Sequence, residues 1–278
     1  MNRKTSTRIG NGISYLLLSF LSILFLVPFA WMISSSLKPN YAIFIMPPQW
    51  IPKPAEWSNY VVSLTKVPFA HYFTNTLFII VLNIIGTLIT STMAGYAFAR
   101  LRAPFKGFLF SVMIGSMMLP SAVTRIPSYV IWNFIGLIDT PWPLIIPAFF
   151  GGAFNIFLIK QFFSSIPYEI EESAHIDGAR VGRIIWSIMV PLILPVLAAI
   201  TIFTFMGCWN DFEGPLIYLN SQNNYTIALG LNAFKSRYGV QWNHLMAASV
   251  VVALPGILIY AFLQRYFTEG ILLGGIKG

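Results

Sequence analysis

Six long apolar runs constrain the fold of this chain more than any other feature. They cover residues 13–33, 75–99, 107–124, 142–159, 184–206 and 246–264. A helix needs about 20 mainly apolar residues to cross a bilayer, where its backbone polar groups bond internally. Charged residues make up only 9% of the chain, whereas soluble domains contain about 25%. The sequence predicts an all-α, polytopic membrane protein whose single domain, residues 1–278, has six transmembrane helices.

The first apolar run raises the alternative of a secretory signal peptide, because Arg3, Lys4 and Arg8 precede it. The apolar part of a signal peptide spans roughly 7 to 15 residues. The run over residues 13–33 is longer than this. The sequence therefore favours an uncleaved first membrane span.

The basic residues orient the six predicted spans. An even number of spans places both termini on one face, and the loops of that face carry 11 of the 17 lysine and arginine residues. Cytoplasmic loops are enriched in these residues, so the termini and the loop 164–183 are predicted to be cytoplasmic. This topology also accounts for the net charge of +8, and no nucleic-acid-binding motif accompanies it.

The predicted spans contain no Asp, Glu, Lys, Arg or His residue. Proton-coupled carriers normally place ionisable groups at membrane depth, so the pattern disfavours a secondary transporter and offers no catalytic constellation. The sequence also lacks a phosphate-binding loop of the form G-x-x-x-x-G-K-[ST]. We therefore expect a non-catalytic chain whose energy comes from a separate subunit. Cys208 is the only cysteine, and no metal site is predicted.

The loop 164–183 contains four of the nine acidic residues of the chain. Glu169, Glu171 and Glu172 lie where the first turn of a short helix would begin, and negative charge there favours the helix dipole. Gly178 follows and permits a sharp turn. The loop is predicted to form a short polar helix that ends in a turn.

Two prolines follow this loop within the fifth run, Pro191 and Pro195. Each removes a backbone hydrogen bond and bends a helix. We expect a kink there. Both a flexing pathway helix and simple structural curvature fit the pattern.

The segments 172–174, 177–179 and 188–191 resemble the cytoplasmic "EAA" loop of permease subunits of ABC importers. That motif reads Glu-Ala-Ala, two further residues, Asp-Gly-Ala, and later Ile-x-Leu-Pro. Ser173 stands in place of the first Ala and Val190 in place of Leu. The resemblance implies that the loop is a coupling helix docked on a cytoplasmic ATPase. The residues implied in coupling are Glu171, Glu172, Ser173, Ala174, Asp177, Gly178 and Ala179, with Pro191 and Pro195 as a hinge.

The segments 28–38, 68–77, 209–212 and 274–278 resemble carbohydrate-uptake permeases, especially the second permease of maltose-type importers. In those relatives the loop before the last span reaches the solute-binding protein, and the C-terminal tail touches the ATPase pair. The implied loop residues are Lys235, Ser236, Arg237, Tyr238, Gly239, Val240, Gln241 and Trp242. The implied tail residues are Ile276, Lys277 and Gly278.

This resemblance also implies the partners. They are a second, different permease subunit, two ATPase subunits that hold ATP and Mg, and an extracytoplasmic solute-binding protein, in a bacterial inner or plasma membrane. No cofactor is expected in this chain. The expected function is to form half of the pathway of a sugar or oligosaccharide importer. The alternative is a permease of the same superfamily for a polyamine, an oligopeptide or a phosphate ester. No substrate-contacting residue is assigned.

Overall fold

The computed structural model describes residues 3–236 and 239–275, with the side chains of residues 12–235 and 239–262. Helices dominate this part of the chain, as predicted. The helices are α1 (Arg3–Ser36), α2 (Ser58–Thr65), α3 (Phe69–Arg100), α4 (Lys106–Ser116), α5 (Ser121–Ile135), α6 (Trp142–Ile145), α7 (Ala153–Ser165), α8 (Glu169–Ile176), α9 (Val181–Arg183), α10 (Val190–Leu192), α11 (Leu194–Asn210), α12 (Glu213–Tyr218), α13 (Ile227–Gly230) and α14 (Trp242–Gly275).

Short irregular elements connect these helices. A π-helical segment, Ile184–Met189, joins α9 to α10. Two strands, β1 (Lys235–Ser236) and β2 (Gly239–Val240), pair antiparallel. Single 3₁₀ turns lie at Asn40–Ala42, Ile146–Phe150, Gln222–Asn224 and Leu231–Phe234.

Among the described residues, four helical segments are long and apolar enough to cross a membrane: Gly12–Ser36, Phe69–Arg100, Trp142–Ser165 and Trp242–Phe262. Two further pairs of helices meet this test together but are bent, by 98° between Lys106–Ser116 and Ser121–Phe134 and by 81° between Val181–Leu192 and Leu194–Asn210. Each predicted apolar run therefore corresponds to a helical segment or to a bent pair. The all-α, multi-pass fold class is confirmed.

The third predicted span differs from the structure. Residues 107–124 were expected to form one helix, but α4 ends at Ser116 and α5 begins after Pro120, which has an extended backbone (φ −62°, ψ 136°). Proline cannot donate a helical hydrogen bond and disfavours helical geometry in the residue before it. Helix α5 then continues through Arg125, which the prediction left in a loop. The absence of ionisable residues therefore holds for the predicted runs but not for these longer helices.

The chain divides into two compact units. The first comprises Met1–Pro68 and Leu231–Leu254, and the second comprises Phe69–Gly230 and Pro255–Gly278. In the second unit α3 packs against α7 and α11. Gly95 allows this close approach, because a Cβ atom there would lie only 2.6 Å from Cγ2 of Ile159 on α7. Small residues commonly permit such contacts between membrane helices.

Asp139 organises the loops that follow α5 and α12 in the second unit. Its carboxylate accepts hydrogen bonds from the backbone N–H groups of Asn220 (2.9 Å) and Ser221 (2.8 Å), and from the Ser221 hydroxyl. The Asn224 amide donates to the Asp139 carbonyl at 2.5 Å. The hydrogen bonds from Ser221 are the main reason why the pKa of Asp139 lies well below its usual range, since they favour the charged carboxylate.

This junction predicts a specific acid sensitivity. A carboxyl group whose pKa is depressed by folding stabilises the native state above its unfolded pKa, and this contribution is lost as the pH falls below about 4. We expect the thermal unfolding midpoint of the purified protein to drop between pH 5 and pH 3, and we expect Asp139→Asn to show a smaller drop. Asp177→Asn, which removes an exposed carboxylate of the same unit, should retain the wild-type dependence. Equal acid profiles for wild type and Asp139→Asn would contradict this role.

Candidate functional site

Helix α8 forms the short acidic helix that the sequence predicts. It is separated from α7 by Ile166, Pro167 and Tyr168, and the backbone of Ile166 is extended (φ −79°, ψ 132°), as expected for a residue before proline. Glu169, Glu171 and Glu172 lie in the first turn of α8. These negative charges complement the positive end of the helix dipole and stabilise a helix of only eight residues.

One face of α8 is buried in the second unit. Glu171 and Ala174 are 7% and 6% exposed. Ala174 belongs to an apolar core that includes Tyr96 of α3, Ile159 of α7 and Ile184 of the π-helical segment. The short side chain of Ala174 lets α8 lie close to these elements, so its position is set by packing against the membrane helices.

The second buried contact of α8 is an ion pair. Nε of Arg100, at the end of α3, lies 3.3 Å from Oε1 of Glu171, and the two side chains are 2% and 10% exposed. The two atoms are at ion-pair distance without the alignment of a hydrogen bond, so their attraction is mainly electrostatic. Nη2 of Arg100 donates to the Ile166 carbonyl at 2.5 Å. The Tyr168 ring lies 4.1 Å from the guanidinium carbon, which adds a cation–π contact.

The end of α8 is a Schellman turn built on Gly178. Gly178 has φ +79°, a conformation that L side chains disfavour. Its N–H donates to the His175 carbonyl (3.0 Å), and the N–H of Ala179 donates to the Ala174 carbonyl (2.9 Å). These two bonds define the motif. Ala179 then packs against the core that holds Ala174, so the two alanines close the turn with small side chains.

The opposite face of α8 is exposed. Glu172, Ser173 and Asp177 are exposed, and Ile176 is exposed over 86% of its surface. A shallow groove beside this face is lined by Ser173, Asp177 and Arg183, among others. Acidic, hydroxyl and apolar groups are thus presented together on a rigidly held helix. The seven residues predicted to act in coupling therefore form three groups. Glu171 and Ala174 are buried, Glu172, Ser173 and Asp177 are exposed, and Gly178 and Ala179 form the turn.

The place of Glu171 differs from the prediction, which had it available to a basic group of a partner. Its carboxylate instead points into the chain and pairs with Arg100. The sequence reasoning used Arg100 only to count charge and missed this role. The two residues lie 71 positions apart, and no periodicity connects them. The one available signal was a basic residue directly at the end of an apolar run.

The predicted kink at Pro191 and Pro195 is present. The backbone passes from the π-helical segment into α10 and breaks at Ile193 (φ −108°, ψ 14°) before α11. The helices on the two sides meet at 81°. Neither proline can donate a helical hydrogen bond, which explains the break. That this bend moves during function stays a prediction.

The predicted outer loop forms a hairpin in the first unit. Lys235 pairs with Val240 and Ser236 with Gly239, while Arg237 and Tyr238 lie outside the described residues. Gln241 accepts a hydrogen bond from Nζ of Lys66 at 2.5 Å, and the N–H of Trp242 donates to the Asn40 side chain at 2.8 Å. The predicted tail residues Ile276, Lys277 and Gly278 also lie outside the described residues.

The side chains of residues 12–235 and 239–262 contain no group of three or more His, Cys, Asp or Glu that is arranged to hold a metal ion. The described features are those of a multi-pass helical membrane protein with a short helix held on one end of its bundle. These features agree with what comparison with known proteins finds.

Residues 87–272 match the family described as "Binding-protein-dependent transport system inner membrane component". This chain belongs to that family, and it is therefore a permease subunit of an ABC transporter. It is 32% identical to the inner membrane ABC transporter permease protein YcjP of Escherichia coli over 100% of this chain and 99% of that protein. It is 29% identical to the arabinooligosaccharides transport system permease protein AraQ of Halalkalibacterium halodurans, with 100% of both chains covered.

A solved structure shares the fold. A chain of a bacterial ABC transporter that imports the acidic polysaccharide alginate superimposes with a TM-score of 0.83 over 96% of this chain and 99% of that chain, at 24% sequence identity. The likeness supports the permease fold over nearly the whole length of this chain.

The Arg100–Glu171 ion pair predicts a large difference between two adjacent glutamates. Glu171→Ala leaves a buried guanidinium without its counter-charge, which costs about 3–5 kcal/mol. Glu172→Ala removes an exposed carboxylate from the same helix turn and should change stability by less than about 0.5 kcal/mol. The thermal unfolding midpoints of the purified variants measure this difference. Equal midpoints would show that the pair does not hold α8.

Proposed function

We propose that this chain forms half of the translocation pathway of an ATP-driven sugar or oligosaccharide importer. We further propose that α8 transmits the closure of a separate ATPase to the membrane helices. The observation that carries this proposal is the two-sided character of α8. Its inner face is buried against α3, α7 and the segment before α11, while its outer face is exposed.

A helix with this arrangement is suited to act as a lever. Force applied to Glu172, Ser173 or Ile176 on the outer face would pass through Ala174 and the Arg100–Glu171 pair to the end of α3. Protein interiors are close-packed and transmit strain. The same core includes Ile184 and other residues up to the bend, so movement of α8 would also reach the helix that the two prolines break.

The names of relatives support a carbohydrate substrate. The arabinooligosaccharides permease AraQ is named above, and the diacetylchitobiose uptake system permease protein NgcG of Streptomyces coelicolor is 29% identical over 98% of this chain and 91% of that protein. Both names specify short saccharides. We extend this substrate class to the present chain.

The family description itself implies a binding protein, and a related solved structure contains an alginate transporter with its periplasmic protein. We propose that this chain assembles with a second, different permease, two ATPase subunits that bind ATP and Mg, and an extracytoplasmic binding protein. Both termini and α8 would then face the cytoplasm. The hairpin that contains Lys235 and Val240 would face the binding protein.

Purification of the transporter from its native membrane, by means of a tag on this chain, tests the assembly and the substrate together. We expect an ATPase and a second permease to copurify. ATP hydrolysis by the reconstituted transporter should be stimulated by its binding protein loaded with a sugar or an oligosaccharide. Stimulation by a polyamine, an oligopeptide or a phosphate ester alone would contradict the sugar assignment. If the second permease copurifies with this chain and no ATPase does, the coupling assignment is contradicted.

The turn at Gly178 provides a matched pair of variants for coupling. Asn adopts positive φ more readily than other side chains, whereas a β-branched residue does not. We expect Gly178→Asn to retain most transport. Gly178→Val should lower transport and stimulated ATP hydrolysis by about 5- to 30-fold, as expected for a turn strained by about 1–2 kcal/mol at the docking surface. Gly178→Asp and Glu172→Lys, which alter the charge of the same surface, should also abolish transport while membrane insertion persists.

Membrane insertion and copurification with the second permease serve as controls for folding. Transport at the wild-type rate by Gly178→Val would contradict the role of this turn.

A further inference from the structure

Helix α2 has the reverse of the polarity expected for a helix in water. Asn59 and Ser63 are buried, at 3% and 0% exposure, whereas Trp57 just before the helix and Val61 within it are 69% and 65% exposed. Leu64 extends this apolar face. A helix on the surface of a soluble protein buries its apolar stripe and exposes its polar side chains. The surroundings of α2 must therefore be apolar on its outer side.

Hydrogen bonds explain why the polar side chains point inward. Nδ2 of Asn59 donates to the carbonyls of Ser36 and Lys38, each at 3.0 Å, and Oδ1 of Asn59 accepts from Asn243 at 2.9 Å. The Ser63 hydroxyl donates to the His244 carbonyl at 2.9 Å. The bond to Ser36 supplies a partner for a carbonyl group at the C-terminal end of α1, where carbonyl groups lack helical partners. Together the four bonds fix which face of α2 turns outward.

The same hydrogen bonds fix the depth of α2. Ser36 is the last residue of the apolar helical segment Gly12–Ser36, and Trp242 is the first residue of Trp242–Phe262. Ser36, α2 and the part of α14 up to Leu254 belong to the first unit. The end of Gly12–Ser36 and the start of Trp242–Phe262 therefore indicate the same membrane depth, the boundary between the hydrocarbon and the lipid headgroups. Helix α2, about 12 Å long at 1.5 Å per residue, is tied to both.

The residues around the exposed face suit this level. Trp57 is an aromatic residue of the kind that is enriched where membranes meet water. Basic residues lie on both sides of the helix, with Lys53 before it and Lys66 directly after it, and both are exposed. A lysine at this level places its ammonium group among headgroups while its apolar stem stays beside the acyl chains. Lys53 is suited to this position, whereas the ammonium of Lys66 donates to Gln241.

We propose that α2 lies in the plane of the membrane interface, with Trp57, Val61 and Leu64 inserted between lipid headgroups and acyl chains. We assign lipid and not another subunit to this face, because Trp57 and the neighbouring Lys53 are residue types that suit a membrane interface. In Gly12–Ser36 the most apolar window has none of its residues buried in this chain. Helix α2 would then hold the ends of α1 and α14 at a constant depth.

Spin labels on single cysteines in the assembled transporter, reconstituted in a lipid bilayer, test this placement. Cys208→Ser provides the background, and Val61→Cys carries the label. Collision with oxygen, which concentrates in lipid, is compared with collision with a water-soluble nickel chelate. Phe20→Cys, in the middle of the apolar segment of α1, and Gln222→Cys, in an exposed loop, serve as the lipid and water references.

The label at residue 61 is expected to collide with oxygen severalfold more than with the nickel chelate, at a depth between the two references. A ratio equal to that at residue 222 would place the face in water. Low collision with both reagents would mean that another subunit covers it. Either result would overturn the proposal. Because Val61 is exposed, the labelled variant should assemble and transport like the wild type, which separates this test from the substrate assignment.

Discussion

The buried ion pair between Arg100 and Glu171 is the interaction on which the position of α8 depends. Neither charge would be stable alone where it lies, because burial of an unpaired charge is costly. The pair therefore forces the end of α3 and the start of α8 to remain together. The guanidinium also holds the Ile166 carbonyl and stacks against Tyr168. The Arg100 side chain thus holds the connection between α7 and α8 against the end of α3.

Apolar packing also holds α8 in place, in addition to the ion pair. Ala174 and Ala179 lie against the core on either side of the Gly178 turn. Larger side chains at these positions would push α8 away from α3 and α7. One charged contact and two small residues thus join α8 to the membrane helices. They hold a helix that is polar on its outer surface firmly against the bundle.

The sequence predicted the elements of this site better than their contacts. The acidic residues at the start of α8 and the glycine at position 178 were enough to predict a short acidic helix that ends in a turn. Pro191 and Pro195 were enough to predict the bend. The inward orientation of Glu171 could not be predicted, because its partner Arg100 is distant in sequence and helical phase alone does not identify which face meets the bundle. The break at Pro120 and the extension of α5 through Arg125 were also missed, since hydropathy does not resolve where a proline divides an apolar run.

The inverted polarity of α2 was missed for a related reason. Residues 34–74 lie outside the predicted apolar runs, and composition does not reveal that Asn59 and Ser63 form hydrogen bonds with backbone carbonyl groups inside the first unit. Once those hydrogen bonds are formed, Val61 and Leu64 remain on the exposed face. Helices α2 and α8, each of eight residues, therefore follow opposite rules. Helix α8 exposes polar groups and buries Ala174, while α2 exposes Val61 and buries Asn59 and Ser63.

The most direct test of the account is the location of the outer face of α8 in the assembled transporter. A cysteine at Ile176, in a background with Cys208→Ser, can be probed with a membrane-impermeant thiol reagent and with a short bifunctional cross-linker. The account predicts that the cysteine is inaccessible from outside intact cells and becomes cross-linked to the ATPase subunit. Labelling from outside, or no cross-link in a complex that contains the ATPase, would contradict it.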